Sequence, residues 1–272
     1  MIVVGAFVLT GCRASLSDGL LIPPITEGAE RVTRLWVGTW IAAIAVGVLV
    51  LGLLFWCLIV YRHKDGDDEL PEQLRYNVPI EVLYTVVPIF MVLVLFFYTA
   101  RDEEILLDTS SPPDNVVHVI GKRWSWDFNY VNDDVHLAGT QARLTGQDGV
   151  EATLPDLYIV VGERTEFVLT SRDVIHSFWV PQFHQKLDMI PGRVNSFAVT
   201  PTQTGTFQGK CAELCGDYHS YMLFNIHVVE QDEYDAQMEA LRASGNTGLM
   251  TDEHNMEKLM ERDQNLIREG SR

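Results

Sequence analysis

The chain has 272 residues, 47% of them hydrophobic, and carries 37 Asp and Glu against 20 Lys and Arg, for a formal net charge of −17. So acidic a balance argues against a surface that holds nucleic acid, whose phosphates it would repel, and suits a basic partner drawn in by its field. The length allows a membrane part and one folded domain, and the apolar residues are shared unevenly between the two.

The first twelve residues, MIVVGAFVLTGC, pass from an apolar stretch through small residues to Cys12. This resembles a bacterial lipoprotein signal, with residues 1–11 removed and Cys12 acylated, although no Lys or Arg precedes the apolar run. After an outer segment over 12–34, residues 35–61 contain no charged side chain and exceed the roughly 20 residues that cross a hydrocarbon core. A second helix over 79–100 holds the apolar run VLYTVVPIFMVLVLFFYTA. Its Pro88 is tolerable because membrane helices re-satisfy the freed backbone groups. The two spans form a hairpin.

Basic residues do not orient it: Arg62, Lys64 and Arg75 in the loop balance Arg13, Arg31 and Arg34 before the first span. Orientation rests on the signal and on the chemistry downstream, which place the N-terminus and the soluble part on the outer face of a bacterial plasma membrane. Glu81 sits at the start of the second span, where an ionisable group is either an interfacial carboxylate touching water or a functional one.

From residue 101 onward, 28 acidic against 14 basic side chains leave about −14 outside the membrane. Short strand-forming runs follow: VVHVI at 116, WSWDFNY at 124, LYIVV at 157, TEFVLTS at 165, SFAVT at 196, GTFQGK at 205 and MLFNIHVV at 222. Turn residues separate them, which predicts an all-β sandwich or barrel over about 101–230. Beyond it, EYDAQMEALRASG predicts a helix stopped by Gly245. A second helix capped by Thr251 would align Met256, Leu259, Met260, Leu266 and Ile267. This tail, 231–272, reads as peripheral.

The stretch KCAELCGDYHSYM gathers Cys211, Cys215, His219 and Met222 before the last strand, and His176 in DVIHSFWVP can join them from a neighbouring strand. Two thiolates, imidazoles and a thioether are soft donors that select copper or zinc. A Cys211–Cys215 disulfide leaves His219 and Met222 unexplained, zinc is satisfied by Cys211, Cys215, His176 and His219 alone, and a mononuclear copper site needs one thiolate. Two coppers bridged by both thiolates use every donor, with Met222 on one metal and the Glu213 carbonyl on the other. Such a centre relays electrons with little reorganisation. Cys57, His118, His136, His184 and His227 have no companion donors at metal spacing.

Together, CAELCGDYHSYM, DVIHSFWVP and the hairpin resemble subunit II of the haem-copper cytochrome c oxidases over roughly residues 30–230. The resemblance implies a cupredoxin-like sandwich with a binuclear copper centre, CuA. Its implied ligands are His176, Cys211, Glu213 through its carbonyl, Cys215, His219 and Met222. It further implies that the Glu213 carboxylate helps hold a magnesium or manganese ion against subunit I, that Trp124 receives electrons, and that Glu81 stands at the mouth of a proton path. Lys122, Arg123 and Ser125 depart from the common pattern around the tryptophans.

The insertion over 131–155, with the signal and the tail, is similar to actinobacterial members, in which the oxidase is joined to the complex that feeds it. On this reading the chain takes electrons from cytochrome c, or from a tethered c-type cytochrome of a bc complex. It passes them to haem in subunit I, where oxygen is reduced to water with proton pumping; subunit III is a further partner. Asp127, Asp133, Asp134 and Asp173 are expected to face the basic donor. The absence of Cys-x-x-Cys-His means no covalent haem of its own. A quinol oxidase subunit II would lack the ligands, and a membrane-anchored copper-delivery lipoprotein would need neither Trp124, Glu81 nor two spans.

Overall fold

The computed structural model describes residues 15–63, 66, 73–142 and 154–250. Cys12, the signal, most of the 62–75 loop, residues 143–153 of the insertion and the helix expected after Thr251 lie outside the described residues.

Two long helices come first, α1 (Glu27–Val60) and α2 (Val78–Leu106). Each starts at a capped end: Thr26 accepts the Ala29 N–H and Asn77 accepts the Ile80 N–H. At 34 residues, α1 is about 51 Å long, well beyond a hydrocarbon core of about 30 Å. It begins eight residues before the uncharged run, and its first turns bury Ala29 and Thr33 against the domain that follows. No residue in the apolar window of either helix is buried in the isolated chain, and most are exposed.

Ten strands follow: β1 (Asn115–Lys122), β2 (Ser125–Tyr130), β3 (Val135–Ala138), β4 (Asp156–Val160), β5 (Thr165–Ser171), β6 (His176–Val180), β7 (Gln185–Met189), β8 (Asn195–Val199), β9 (Gly205–Cys211) and β10 (Leu223–Val229). They form two five-stranded sheets ordered β3-β2-β1-β5-β8 and β4-β10-β9-β6-β7. Pairing is antiparallel except for β1 with β5 and β4 with β10. Aromatic side chains from both sheets interlock: Trp126 on β2 meets Phe224 on β10 with ring centres 5.2 Å apart, and Phe167 on β5 meets Phe178 on β6 at 5.1 Å. The expected all-β sandwich is therefore present, its core aromatic and sealed.

The hairpin is tied to the sandwich through the segment preceding α1. Ile25 donates to Gln182 O, Thr202 to Ile25 O and Glu27 to Thr200 O. His184 links Thr33 and the Ile22 carbonyl at 3.2 and 2.7 Å. A histidine without metal companions thus has a structural task.

The tail is not peripheral over its described part. Helix α3 (Gln231–Ala243) buries Tyr234, Met238 and Leu241 at helical spacing. Gly245, at φ +82°, then turns the chain back along β3. Asn246 O accepts the His136 N–H, Asp134 O accepts the Gly248 N–H, and Asn129 and Met250 bond reciprocally. Helix and strand edge close one side of the first sheet, part of it built from the insertion, whose Val135–Ala138 is β3 itself.

Candidate metal centre

Cys211 ends β9 and is paired in register with Phe178 of β6, so His176, two residues before Phe178, shares the inward face. The chain between β9 and β10 is closed at its base, where Met222 O accepts the N–H of Cys211 and the indole N–H of Trp126. Ala212 donates to Ser177 O, fixing the loop to β6. Gly216 turns at φ +119°, with the Trp124 ring packed so close that a Cβ would meet it at 3.1 Å. A short 3-10 turn, His219–Tyr221, then returns His219 and Met222 toward the sulfurs.

The resulting cluster is compact. The two sulfurs lie 3.9 Å apart as free thiols. Nδ1 of His176 is 3.8 Å from Cys211 Sγ, and Nδ1 of His219 is 3.5 Å from Cys215 Sγ. Met222 Sδ is 3.8 Å from Cys215 Sγ, and the Glu213 carbonyl accepts from Cys211 Sγ at 3.2 Å. Ligand atoms of His176, Cys211 and Cys215 fall within 4.8 Å of one another, and all three residues are buried. The structure therefore brings together all six groups that the sequence reading assembled.

Burial first, and then the neighbouring Cys211, push the Cys215 thiol up to about 12, so two thiolates side by side need positive charge between them. Burial also draws His176 below the ordinary imidazole value, against the pull of Asp173. The second ring nitrogen, Nε2, lies 2.8 Å from Asp173 Oδ1. Facing a carboxylate, Nε2 carries the proton, and Nδ1 keeps its lone pair toward the sulfurs. For Asp173, burial alone would raise the pKa, but the bonds from His176 and from the Arg123 and Val174 N–H groups outweigh it and hold it down. Sequence reading gave Asp173 no such role; its signal is the D-x-x-H spacing of DVIH.

Soft donors around a pocket that disfavours unpaired thiolates fit copper. Trp124 stands beside them, half-buried, its indole N–H donating to Cys215 O at 3.2 Å and its ring edge-to-face with the exposed Tyr218. Trp126 instead lies wholly in the core.

Other expectations fare differently. Asp127 is fully buried and binds Lys122, Arg172 and the Gly139 N–H, so it cannot face a partner. Asp173 is turned inward to His176, and Asp133 is taken up by Tyr234 and Arg242; of the four, Asp134 stays exposed. The Glu213 side chain is exposed, and among the described residues no cluster of metal donors includes it. Glu81 lies at the opposite end of α2 from the sandwich, where it accepts the Asn77 N–H at 3.0 Å.

Comparison with known proteins bears on the chain as a whole. Residues 115–229 match the family model described as cytochrome C oxidase subunit II, periplasmic domain. A probable cytochrome c oxidase subunit 2 of Streptomyces avermitilis is 45% identical, the match covering 88% of this chain and 84% of that one. The cytochrome c oxidase subunit 2 of Mycobacterium tuberculosis is 33% identical over 89% of this chain and 80% of its own. Among solved structures, the periplasmic domain of subunit II of cytochrome oxidase from Bradyrhizobium japonicum is 30% identical, covering 49% of this chain and 97% of that domain at a TM-score of 0.45.

Proposed function

The chain belongs to the cytochrome c oxidase subunit II family, and from that premise we propose that it is the electron-accepting subunit of its oxidase, with His176, Cys211, Cys215, His219, Met222 and the Glu213 carbonyl holding a binuclear copper centre. Two copper ions there would supply a one-electron relay between cytochrome c and the haem of subunit I. The observation that carries this is the pair of buried thiols 3.9 Å apart, each with its own imidazole. Zinc in a single tetrahedral site would leave Met222 without a task.

The protein's part is to hold and insulate. Two strands and a loop closed by backbone bonds fix the donors before any metal arrives, so little rearrangement accompanies binding. Trp124 spans the distance from surface to ligand loop, and its bond to Cys215 O makes a continuous path from a docked donor to a thiolate. For the exposed Glu213 carboxylate we propose a share, with subunit I, in holding a magnesium or manganese ion. For Glu81 we propose the proton-path role, its carboxylate held at the helix start by the Asn77 N–H. Cys12 is the proposed lipid anchor.

Mixing the copper-loaded full chain with reduced cytochrome c in a stopped-flow instrument tests the assignment. Rapid bleaching of the thiolate-to-copper absorption, matched by cytochrome oxidation, is expected. A loaded chain that cytochrome c leaves oxidised would remove the relay and leave a copper carrier.

A further inference from the structure

Where the apolar runs of α1 and α2 end beneath the sandwich, a cavity of about 410 Å³ opens between the helices. Its mouth is formed by Arg31, Arg34 and Arg101, and its floor by Gly38, Ala42 and Leu95. Small residues four apart on a membrane helix commonly let two backbones approach closely. Here they do not: a Cβ placed on Gly38 would meet nothing within 4 Å. The missing side chain leaves an apolar slot running toward the membrane interior.

The mouth is organised. Asp102, buried, receives Arg31 at 3.3 Å and Arg101 at 3.0 Å, and the Arg101 guanidinium also lies over the Tyr98 ring at 5.1 Å. Two guanidiniums are thus fixed around one carboxylate. Arg34 meets Glu30 only at 3.8 Å, with two-thirds of its side chain exposed. Three arginines against Asp102 and Glu30 leave a net positive mouth in a chain whose total is −17. Guanidinium forks suit phosphate oxygens, and the slot below suits an alkyl chain.

We propose that this cavity is a binding site for an anionic phospholipid of the leaflet on the sandwich side, its phosphate among Arg31, Arg34 and Arg101 and one acyl chain along Gly38 and Ala42. A free phosphate ion would use the mouth and ignore the slot, and a packed helix would use the slot and leave the mouth's net positive charge unmet, with Arg34 held only by the 3.8 Å contact to Glu30. The inference rests on the reading of α1 and α2 as membrane spans.

Its test places the full chain in phosphatidylcholine bilayers containing a minor fraction of phosphatidylglycerol, followed by native mass spectrometry of retained lipid. Wild type is expected to retain phosphatidylglycerol preferentially. R34Q should weaken that retention about fivefold, and G38L, which fills the slot, should abolish it without unfolding the sandwich. Excess inorganic phosphate should not displace the lipid. Equal retention of both lipids, wild-type retention by R34Q and G38L, or displacement by phosphate would each overturn the site. Failure of the chain to enter bilayers at all would instead overturn the membrane reading beneath it.

Discussion

Replacing Asp173 with Asn removes one charge and little volume, yet the geometry around it leaves the amide no good orientation. Oδ1 accepts His176 Nε2 at 2.8 Å and the Val174 N–H at 2.7 Å; Oδ2 accepts the Arg123 N–H at 2.8 Å. An Asn amide nitrogen in the Oδ2 position would face the Arg123 N–H, and in the Oδ1 position it would face His176 and Val174. Either way a donor meets a donor, and a bond to a charged acceptor worth about 1.5–3 kcal/mol is lost. His176 would lose the partner that fixes its tautomer, and copper affinity should fall about 10- to 100-fold, or about 1.4–2.7 kcal/mol. Competition titration against a copper(I) chelator on full-length wild type and D173N measures this, with thermal unfolding of the metal-free chains as the control for folding. Affinity within about twofold of wild type would show that Asp173 does not position the histidine, and the reasoning would fail.

Trp124→Phe keeps an aromatic ring but loses the bond to Cys215 O. Reduction by cytochrome c should slow about tenfold, equivalent to roughly 1.4 kcal/mol on the barrier, with copper content and absorption unchanged in stopped-flow records. His118 is held down to about 4 by burial and, secondarily, by Arg172, against an ordinary 6.5. Its unfolded form therefore binds the proton better, and stability present above pH 6.5 falls as pH drops toward 4, by about 3 kcal/mol at the end of that window. Denaturant unfolding across this range should show the loss in wild type and much less of it in His118→Gln. Ending the chain after residue 230 removes Tyr234, Met238 and Leu241 from the core and should cost on the order of 5 kcal/mol in unfolding free energy.

The hairpin was legible because membrane spans announce themselves by composition, and the donor cluster because six donor groups of four kinds crowd into two short stretches. What failed to read through did so for physical reasons. Asp127 in WSWDFNY alternates with buried aromatics and looks solvent-facing, yet Lys122 and Arg172 close over it on the sheet's outer side. Strand β7, QKLDM, is half polar because it is a sheet edge, and polar alternation of that kind resembles a loop. Strand β3 hid inside what looked like an insertion, and its pairing with β2 and the tail is a long-range property that no local pattern shows. Glu30, Arg31 and Arg34 made the first helix seem to begin at 35, whereas its capped start at Thr26 and its docking on the sandwich carry it earlier.

In the proposed centre Cys211 and Cys215 share two coppers. Electron paramagnetic resonance of the copper-loaded full chain, with copper and zinc counted per protein, tests it most directly. Two coppers per chain, with one unpaired electron split by both nuclei and intense thiolate bands in the visible, is the predicted result. One copper with the electron confined to a single nucleus, or a chain that takes zinc in preference, would contradict it.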